Sequence, residues 1–129
     1  MTNSEIATRC YQAFASGDRS VFEAFLADDF HFTSPLDNAI DQEAYFRRCW
    51  PTHEFTTGFR LERVCESEDL VFVTYVGTRD SGEQFRNTEI LKVADGRIQE
   101  VEVYFGWTVP HPAPTGCAVD PSTGEIVTP

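Results

Sequence analysis

The sequence predicts an α+β fold, with helices first and a meander of strands after them. Apolar residues recur at helical spacing in the first part of the chain. From Gly58 to Gly106 they alternate with polar residues, and turn-forming residues separate the alternating stretches. In domains with this order of elements, the helices pack on one face of a bent antiparallel sheet.

The first two helices have start and stop signals. A capping box at residues 2–5 begins a first helix, which ends at Gly17. A second capping box at residues 20–23 begins a short helix, which the aspartate pair at 28–29 ends. The two helices are expected to form an antiparallel hairpin or a corner.

The first strand and the third helix follow. Residues 30–34 alternate as a strand, which Pro35 ends because proline removes a backbone donor, and residues 37–38 form a turn. Asp41 caps a third helix, which ends at Pro51. Four more strands are predicted at residues 59–65, 70–78, 83–93 and 97–105, with turns at 67–69, 80–82 and 95–96.

The composition fits one domain with a tail. The chain has 129 residues, 41% of them hydrophobic, which suffices for one core. Eleven Phe, four Tyr and two Trp fill that core or line a cavity. We expect a domain at residues 1–107. Residues 108–129 hold five of the seven prolines and are expected to form an irregular tail that wraps the domain or crosses to a partner.

Charge and cysteine usage exclude several classes of partner. The net charge of −11 argues against nucleic acid and anionic membranes, because phosphate binding needs a surface rich in Lys and Arg. Acidity serves solubility or, alternatively, attracts a cationic ligand. No stretch is long and apolar enough for a membrane span, and no secretory signal is present, so we expect a cytoplasmic protein. Four widely spaced cysteines without a C-x-x-C pair favour free thiols over a zinc site.

Five short strings occur in a characteristic order: Ala-Ser-Gly-Asp at 15–18, Phe-Leu-Ala-Asp-Asp-Phe at 25–30, Ser-Pro at 34–35, Asp-Gly-Arg-Ile at 95–98 and Tyr-Phe-Gly at 104–106. Together they resemble the SnoaL-like, ketosteroid-isomerase-like family of the nuclear transport factor 2-like superfamily. The resemblance extends from residue 4 to about residue 107. It implies a cone-shaped domain in which three helices pack on a curved, mainly antiparallel sheet around a pocket, often as a homodimer.

The resemblance leaves the reaction open, because this family includes isomerases, polyketide cyclases, dehydratases, epoxide hydrolases and pockets without known chemistry. Ketosteroid isomerases use an Asp base at the end of the first strand, a Tyr on the first helix and a protonated acid. The matching positions here are Ser34, Cys10 and Glu89, with Tyr11 next to Cys10. A serine cannot abstract a carbon-bound proton at neutral pH, so the resemblance disfavours a true steroid Δ-isomerase.

Glu89 is the polar residue that points most directly to function. It shares the apolar face of its strand with Asn87. A carboxyl buried there is pushed towards its neutral form, which donates a hydrogen bond to a ligand carbonyl. Alternatively, Glu89 pairs with an inward arginine, such as Arg60 or Arg63, or hydrogen-bonds buried backbone, and only holds the sheet.

Asp37, Tyr11 and His53 are further candidates for catalysis. Asp37 either leans over the mouth of a pocket or merely closes a turn. Tyr11 lies beside the position of the oxyanion-hole tyrosine. His53 is either an acid or base at the rim or an exposed loop histidine. The three histidines form no ligand pattern, so we predict neither a metal site nor a cofactor.

The alternation of side chains along each strand, together with the helix positions, predicts which side chains line the pocket. Each of these side chains would serve equally as plain core. A mostly apolar wall with few polar groups suits a small, largely hydrophobic, oxygenated molecule. The predicted lining residues are Cys10, Phe14, Phe32, Ser34, Tyr45, Trp50, Phe72, Thr74, Val76, Asn87, Val101, Val103 and Phe105.

The opposite face of the sheet is predicted to be partly apolar as well. Such a face is too apolar for free exposure, so we expect a homodimer through the sheets. The residues assigned to it are Val71, Val73, Tyr75, Ile90 and Tyr104, among the charged Arg86, Lys92, Glu100 and Glu102.

Two functional hypotheses follow. The first is an enzyme that isomerises, cyclises, dehydrates or hydrolyses its substrate without a cofactor. The second is a binding or dimerisation domain with no reaction of its own. An enzyme requires at least two polar groups that converge on one point in the cavity, whereas binding requires only one.

Overall fold

The computed structural model describes all 129 residues and shows the α+β class that the sequence predicts. Three α-helices and a short 3₁₀ helix pack on a six-stranded sheet, and a small hairpin lies in the tail. The elements are α1 (Asn3–Ser16), α2 (Arg19–Ala24), β1 (Leu26–Ser34), β2 (Asp37–Asp41), α3 (Gln42–Arg48), the 3₁₀ helix (Trp50–Phe55), β3 (Thr56–Ser67), β4 (Leu70–Arg79), β5 (Gln84–Ala94), β6 (Arg97–Val109), β7 (Ala118–Val119) and β8 (Ile126–Val127).

Side-chain caps set the ends of the first two helices. The Thr2 hydroxyl accepts a hydrogen bond from the Glu5 N–H, which confirms the predicted cap, but the Glu5 carboxylate accepts from the Thr2 hydroxyl and not from the Thr2 N–H, so the capping box is incomplete. Gly17 ends α1 at a φ of 73°, in the left-handed region that glycine adopts without strain. The prediction that Ser20 caps α2 is wrong. Asp18 is the cap, and the Ser20 hydroxyl donates to its carboxylate, the stronger acceptor.

The first strand is longer than its alternation predicts. β1 begins at Leu26, so residues 28–29 lie within the strand and do not end a helix. β2 begins at Asp37, so the turn lies at residues 35–36 and not at 37–38. Asp41 caps α3 as predicted, since its carboxylate accepts a hydrogen bond from a backbone N–H in the first turn.

The six strands run in the order β2-β1-β6-β5-β4-β3. Every neighbouring pair is antiparallel except β1 and β6, which are parallel. This parallel pair joins the N-terminal part of the chain to the last long strand. The sheet is therefore mainly antiparallel, as the family resemblance implies.

The strand register decides which side chains face the helices. Residues directly opposite each other in antiparallel strands share a face, and Glu89 lies opposite Val73 on β4 and Val103 on β6. The predicted assignment of side chains to the two faces of the sheet is therefore correct for β5 and β6, but for β4 it is wrong by one residue. Both sets of alternate residues in β4 are apolar, so hydrophobicity could not distinguish them. The inner face carries Val71, Val73 and Tyr75, and the outer face carries Phe72, Thr74 and Val76.

The core lies between the helices and the inner face of the sheet. It is a cluster of 19 buried residues from α1, α2, α3, the 3₁₀ helix and strands β1, β4, β5 and β6. Aromatic rings fill its helical side: the ring of Trp50 lies against Phe14, Phe22 and Phe46. This packing fixes the helices over the sheet.

The C-terminal tail contains some regular structure. β6 continues to Val109, two residues past the predicted domain end, and β7 pairs with β8 in a short antiparallel hairpin. The expectation of an irregular tail is thus wrong for these four hairpin residues. No helix in the structure is long and apolar enough to cross a membrane.

Candidate functional site

A cavity of about 400 Å³ opens between the helices and the inner face of the sheet. This volume lies in the range of small-molecule sites. Of its 26 lining residues, 18 are hydrophobic, so the few polar groups stand out against an apolar wall. The predicted residues that line it are Cys10, Tyr11, Phe14, Phe32, Ser34, Asp37, Tyr45, Asn87, Glu89, Val101, Val103 and Phe105.

The Glu89 carboxylate is held by two tyrosines. The Tyr11 hydroxyl on α1 donates to Oε1 at 3.0 Å, and the Tyr75 hydroxyl on β4 donates to Oε2 at 2.5 Å. The alternative that Glu89 pairs with an arginine is wrong, because no arginine lies within ion-pair distance of it. Arg60 pairs with Glu62 instead, at 3.5 Å. We call Glu89, Tyr11 and Tyr75 the acid–tyrosine cluster.

Asn87 extends this cluster towards the end of β6. Its Nδ2 donates to the Tyr75 hydroxyl at 3.2 Å, and its Oδ1 accepts a hydrogen bond from the Gly106 N–H at 3.2 Å. Gly106 lies where the register of β5 and β6 shifts. A continuous chain of hydrogen bonds thus runs from the backbone to Glu89, which fixes the direction in which Tyr75 donates.

Burial dominates the electrostatics of the acid–tyrosine cluster. Desolvation raises the pKa of Glu89, although the hydrogen bonds from Tyr75 and Tyr11 act in the opposite direction. Glu89 keeps some solvent-accessible area because it borders the cavity. Burial and the nearby Glu89 also raise the pKa of both tyrosines, so they remain hydrogen-bond donors.

A second polar group, centred on Asp37, lies in the same cavity. The Asp37 side chain is only 7% exposed, and its Oδ1 accepts from Arg48 Nε at 2.9 Å. Its Oδ2 accepts from the Ser34 hydroxyl at 2.8 Å and from the Cys49 thiol at 3.9 Å. Burial is the main cause that raises the pKa of Cys49 to about 11, so this thiol stays protonated.

The two polar groups lie on different strands. Ser34 and Asp37 belong to β1 and β2, whereas Glu89 lies on β5, and β6 separates β1 from β5. Two strand spacings put the axes of β1 and β5 about 10 Å apart, and a third puts those of β2, which carries Asp37, and β5 about 14 Å apart. An apolar molecule between them would have a carboxyl group at either side.

Five predicted site residues do not line the cavity. Phe72, Thr74 and Val76 lie on the outer face, for the parity reason given above. Trp50 is 7% exposed and packs in the core behind the cavity wall. The His53 ring lies 4.8 Å from the Trp50 ring and fills the space beside Gly17, so it is neither at the rim nor in an open loop.

The sequence reasoning missed several cavity residues. Tyr75 had been assigned to the outer face, and Arg48 and Cys49 were not recognised as neighbours of Asp37. One signal for Arg48 was present in the sequence. It lies three residues after Tyr45, a predicted lining residue, and residues three apart on a helix share a face. Cys10 lines the cavity, and burial raises the pKa of its thiol to about 12.

The two hydroxyls of the acid–tyrosine cluster converge on its carboxyl group at the wall of an apolar cavity. In such surroundings a neutral carboxylic acid or a tyrosine can donate a hydrogen bond to an oxygen of a bound molecule. No three His, Cys, Asp or Glu side chains come together in a way that could hold a metal ion.

Residues 7–101 match the family described as "SnoaL-like domain". Because this match covers well over half of the chain, the protein belongs to the SnoaL-like family. None of the curated proteins matches the chain.

Solved structures share this fold at low sequence identity. A candidate ketosteroid isomerase from Kribbella flavida DSM 17836 has a TM-score of 0.68 at 17% identity, over 84% of this chain and 81% of that one. An NTF2-like protein of unknown function from Cytophaga hutchinsonii ATCC 33406 has a TM-score of 0.69 at 16% identity, over 82% and 91%. A loop-truncation variant of IdmH has a TM-score of 0.65 at 25% identity, over 79% and 91%.

Proposed function

We propose that the protein binds a small, largely hydrophobic, oxygenated molecule in the cavity and catalyses its isomerisation, cyclisation, dehydration or hydrolysis without a cofactor. The observation that carries this proposal is the convergence of Tyr11 and Tyr75 on the Glu89 carboxyl in an apolar cavity. In such surroundings a hydrogen bond to a substrate oxygen is stronger than in water. A true steroid Δ-isomerase stays disfavoured, because Ser34 occupies the position of the base.

Asp37 is the group best placed to act as the base. It lies three residues after Ser34, and its carboxylate borders the cavity. The Ser34 hydroxyl and the Arg48 guanidinium hold it in place. A substrate between Asp37 and Glu89 would lose a proton to the first and receive a hydrogen bond from the second.

One observation favours the alternative, a ligand-binding domain without a reaction. Each charged group that lines the cavity already has a protein partner: Glu89 has two tyrosines, Asp37 has Arg48, and Arg79 has Glu83. Arg48 thus already occupies one carboxylate oxygen of Asp37, the proposed base.

Binding is tested by fluorescence titration with naphthol, an apolar bicyclic molecule with one hydroxyl. We expect saturable binding to the wild type and about tenfold weaker binding to Glu89→Gln, because the amide cannot reproduce the hydrogen bond that the carboxyl group makes with the naphthol hydroxyl. Glu62→Gln removes the same charge from the outer face and is the matched control. Equal affinity of wild type and Glu89→Gln would show that Glu89 is not a site residue.

Catalysis is tested with tetralone, a bicyclic ketone whose acidic C–H protons exchange with deuterium oxide. We expect the wild type to accelerate exchange, and Asp37→Asn and Glu89→Gln each to slow it at least tenfold. Binding without any accelerated exchange would instead support the non-catalytic alternative.

We also propose a cytoplasmic location. All four cysteines are free thiols in the structure, and Cys65 is exposed. Such thiols persist in a reducing compartment.

A further inference from the structure

Tyr45 on α3 combines a locked ring with a free hydroxyl. Its ring packs against those of Phe22, Phe30, Phe32 and Phe46, with centroid distances of 5.0 to 5.7 Å. The residue is 6% exposed, yet its hydroxyl makes no hydrogen bond with any protein group. Buried tyrosine hydroxyls normally find a partner, so this one requires an explanation.

The Tyr45 hydroxyl faces the cavity. Tyr45 lines the cavity, and no side-chain oxygen or nitrogen in the protein is both buried and unpaired, so the unpaired hydroxyl must border open space. Burial is the main cause that raises the pKa of Tyr45, and Glu89 lies close enough for its charge to raise it further. The hydroxyl and the acid–tyrosine cluster therefore face the same space.

Tyr45 is the only side chain in the cavity wall that has an oxygen or nitrogen but no hydrogen bond to a protein group. Every other lining side chain with an oxygen or nitrogen donates to or accepts from a protein group: Tyr11, Ser34, Asp37, Arg48, Thr52, Thr56, Tyr75, Arg79, Asn87 and Glu89. The position of the Tyr45 hydroxyl is fixed by its aromatic neighbours, so it is preorganised for a partner that the protein itself does not supply.

We propose that the Tyr45 hydroxyl recognises a second oxygen of the ligand, so that the ligand is an uncharged, mostly apolar molecule with two hydroxyl or carbonyl groups. This inference rests on the proposed function, since one ligand oxygen is assigned to Glu89. The ligand is uncharged because the only cations in the wall, Arg48 and Arg79, are about half exposed and already paired. A tyrosine hydroxyl both donates and accepts, so it serves a carbonyl or a hydroxyl.

The test is a double-mutant cycle between protein and ligand. Naphthol, with one hydroxyl, and the isomers of dihydroxynaphthalene, with two, are titrated by fluorescence into wild type and Tyr45→Phe. We expect at least one dihydroxynaphthalene to bind Tyr45→Phe about 3-fold to 10-fold more weakly than wild type, while naphthol affinity changes less than twofold. Tyr104→Phe, which removes a hydroxyl from the outer face, is the matched control and leaves all affinities unchanged.

Stability separates recognition from a structural role. Because the Tyr45 hydroxyl has no protein partner, Tyr45→Phe should keep or raise the melting temperature. A lower melting temperature, or equal losses for naphthol and every dihydroxynaphthalene, would overturn the inference. Naphthol binding that depends on Glu89 but shows no coupling to Tyr45 would overturn this inference alone, whereas no binding of any probe would count against the proposed function as well.

Discussion

Glu89 differs from the surface acids of this chain in the groups that hold it. Two tyrosine hydroxyls donate to its carboxylate, whereas Glu62 on the outer face accepts hydrogen bonds from Arg86 and Arg60. Burial raises the pKa of Glu89, while the hydrogen bond from Arg86 is the main cause that lowers the pKa of Glu62. The two residues should therefore respond to pH in opposite directions.

Glu89→Gln should gain stability relative to wild type as the pH rises. A carboxyl whose pKa is raised by folding stabilises the folded state below its unfolded pKa of about 4.3, and this contribution is lost as the pH rises through the folded value. Glutamine does not ionise, so it avoids that loss. Melting temperatures of both proteins across the acidic to neutral range measure the effect.

Glu62→Gln provides the matched control, because it removes one negative charge as well. A carboxyl whose pKa is lowered by folding stabilises the folded state above its unfolded pKa, and this contribution is lost on acidification. The wild type should therefore become more stable relative to Glu62→Gln as the pH rises. If the stabilities of both variants follow the same trend with pH, net charge explains the data, and a raised pKa of Glu89 is contradicted.

At the level of single residues, the sequence predicted Glu89 and its apolar face but not its partners. Tyr11 and Glu89 are 78 positions apart, and no local pattern reports such a contact. The position that matches the family tyrosine is Cys10, so the sequence predicts the adjacent Tyr11 as a candidate but not its hydrogen bond to Glu89. α1 packs against β3 and β4, and this packing brings Tyr11 to Glu89 on the adjacent β5.

Among the elements, β4 shapes the cavity through one glycine. Gly77 lies opposite Phe85, and the Phe85 ring occupies the space in which a β-carbon at Gly77 would lie. The Arg79 guanidinium covers the same ring, 4.6 Å from its centroid. Phe85 forms part of the cavity wall, so the absence of a β-carbon at Gly77 determines the position of that part of the wall.

Gly77→Ala should destabilise the protein by about 1–3 kcal/mol, because the added methyl group overpacks against Phe85. It should also weaken naphthol binding, since the displaced ring changes the cavity wall. Chemical denaturation measures the first effect and fluorescence titration the second. Gly58→Ala on β3 is the control, because open space surrounds its added methyl group, and it should change stability by less than about 1 kcal/mol. Equal effects of both variants would contradict this account.

The elements themselves were largely predictable, whereas the parity of β4 was not. Thr2, Gly17 and Asp41 act locally, so the sequence reveals their caps directly. In β4 both faces are apolar, because Phe72 and Val76 face outward while Val73 and Tyr75 face inward. Only the register with β5 decides between them, and register is a tertiary property.

For the whole molecule, the outer face of the sheet is the surface that we propose as an interface. It carries the partly exposed Phe72 and Ile90 together with Tyr104 and Trp107, which are 50% and 51% exposed, whereas Val76 on the same face is already buried. Arg86 lies over the Trp107 ring at 5.8 Å and pairs with Glu62 at 2.9 Å. The face thus combines apolar side chains with charges of both signs.

We expect a homodimer through this face. Light scattering during gel filtration should give twice the monomer mass for the wild type, and Tyr104→Glu should shift it towards the monomer, because it places a further carboxylate beside Glu102. Leu36→Glu adds the same charge at the cavity mouth, on a residue that is 74% exposed, and should leave the dimer intact. A wild type that runs as a monomer would contradict the expectation.

The parallel pairing of β1 with β6 has a consequence for the order of folding. Phe32 of β1 pairs with Val101 of β6, which the chain reaches only after the whole meander of β3 to β5. Contacts so distant in sequence form late, because the loop between them must be closed first. We therefore expect the cavity, which has Asp37 on one side of the β1–β6 pair and Glu89 on the other, to be completed only when β6 pairs with β1. A nascent chain that lacks β6 contains every helix but no binding site.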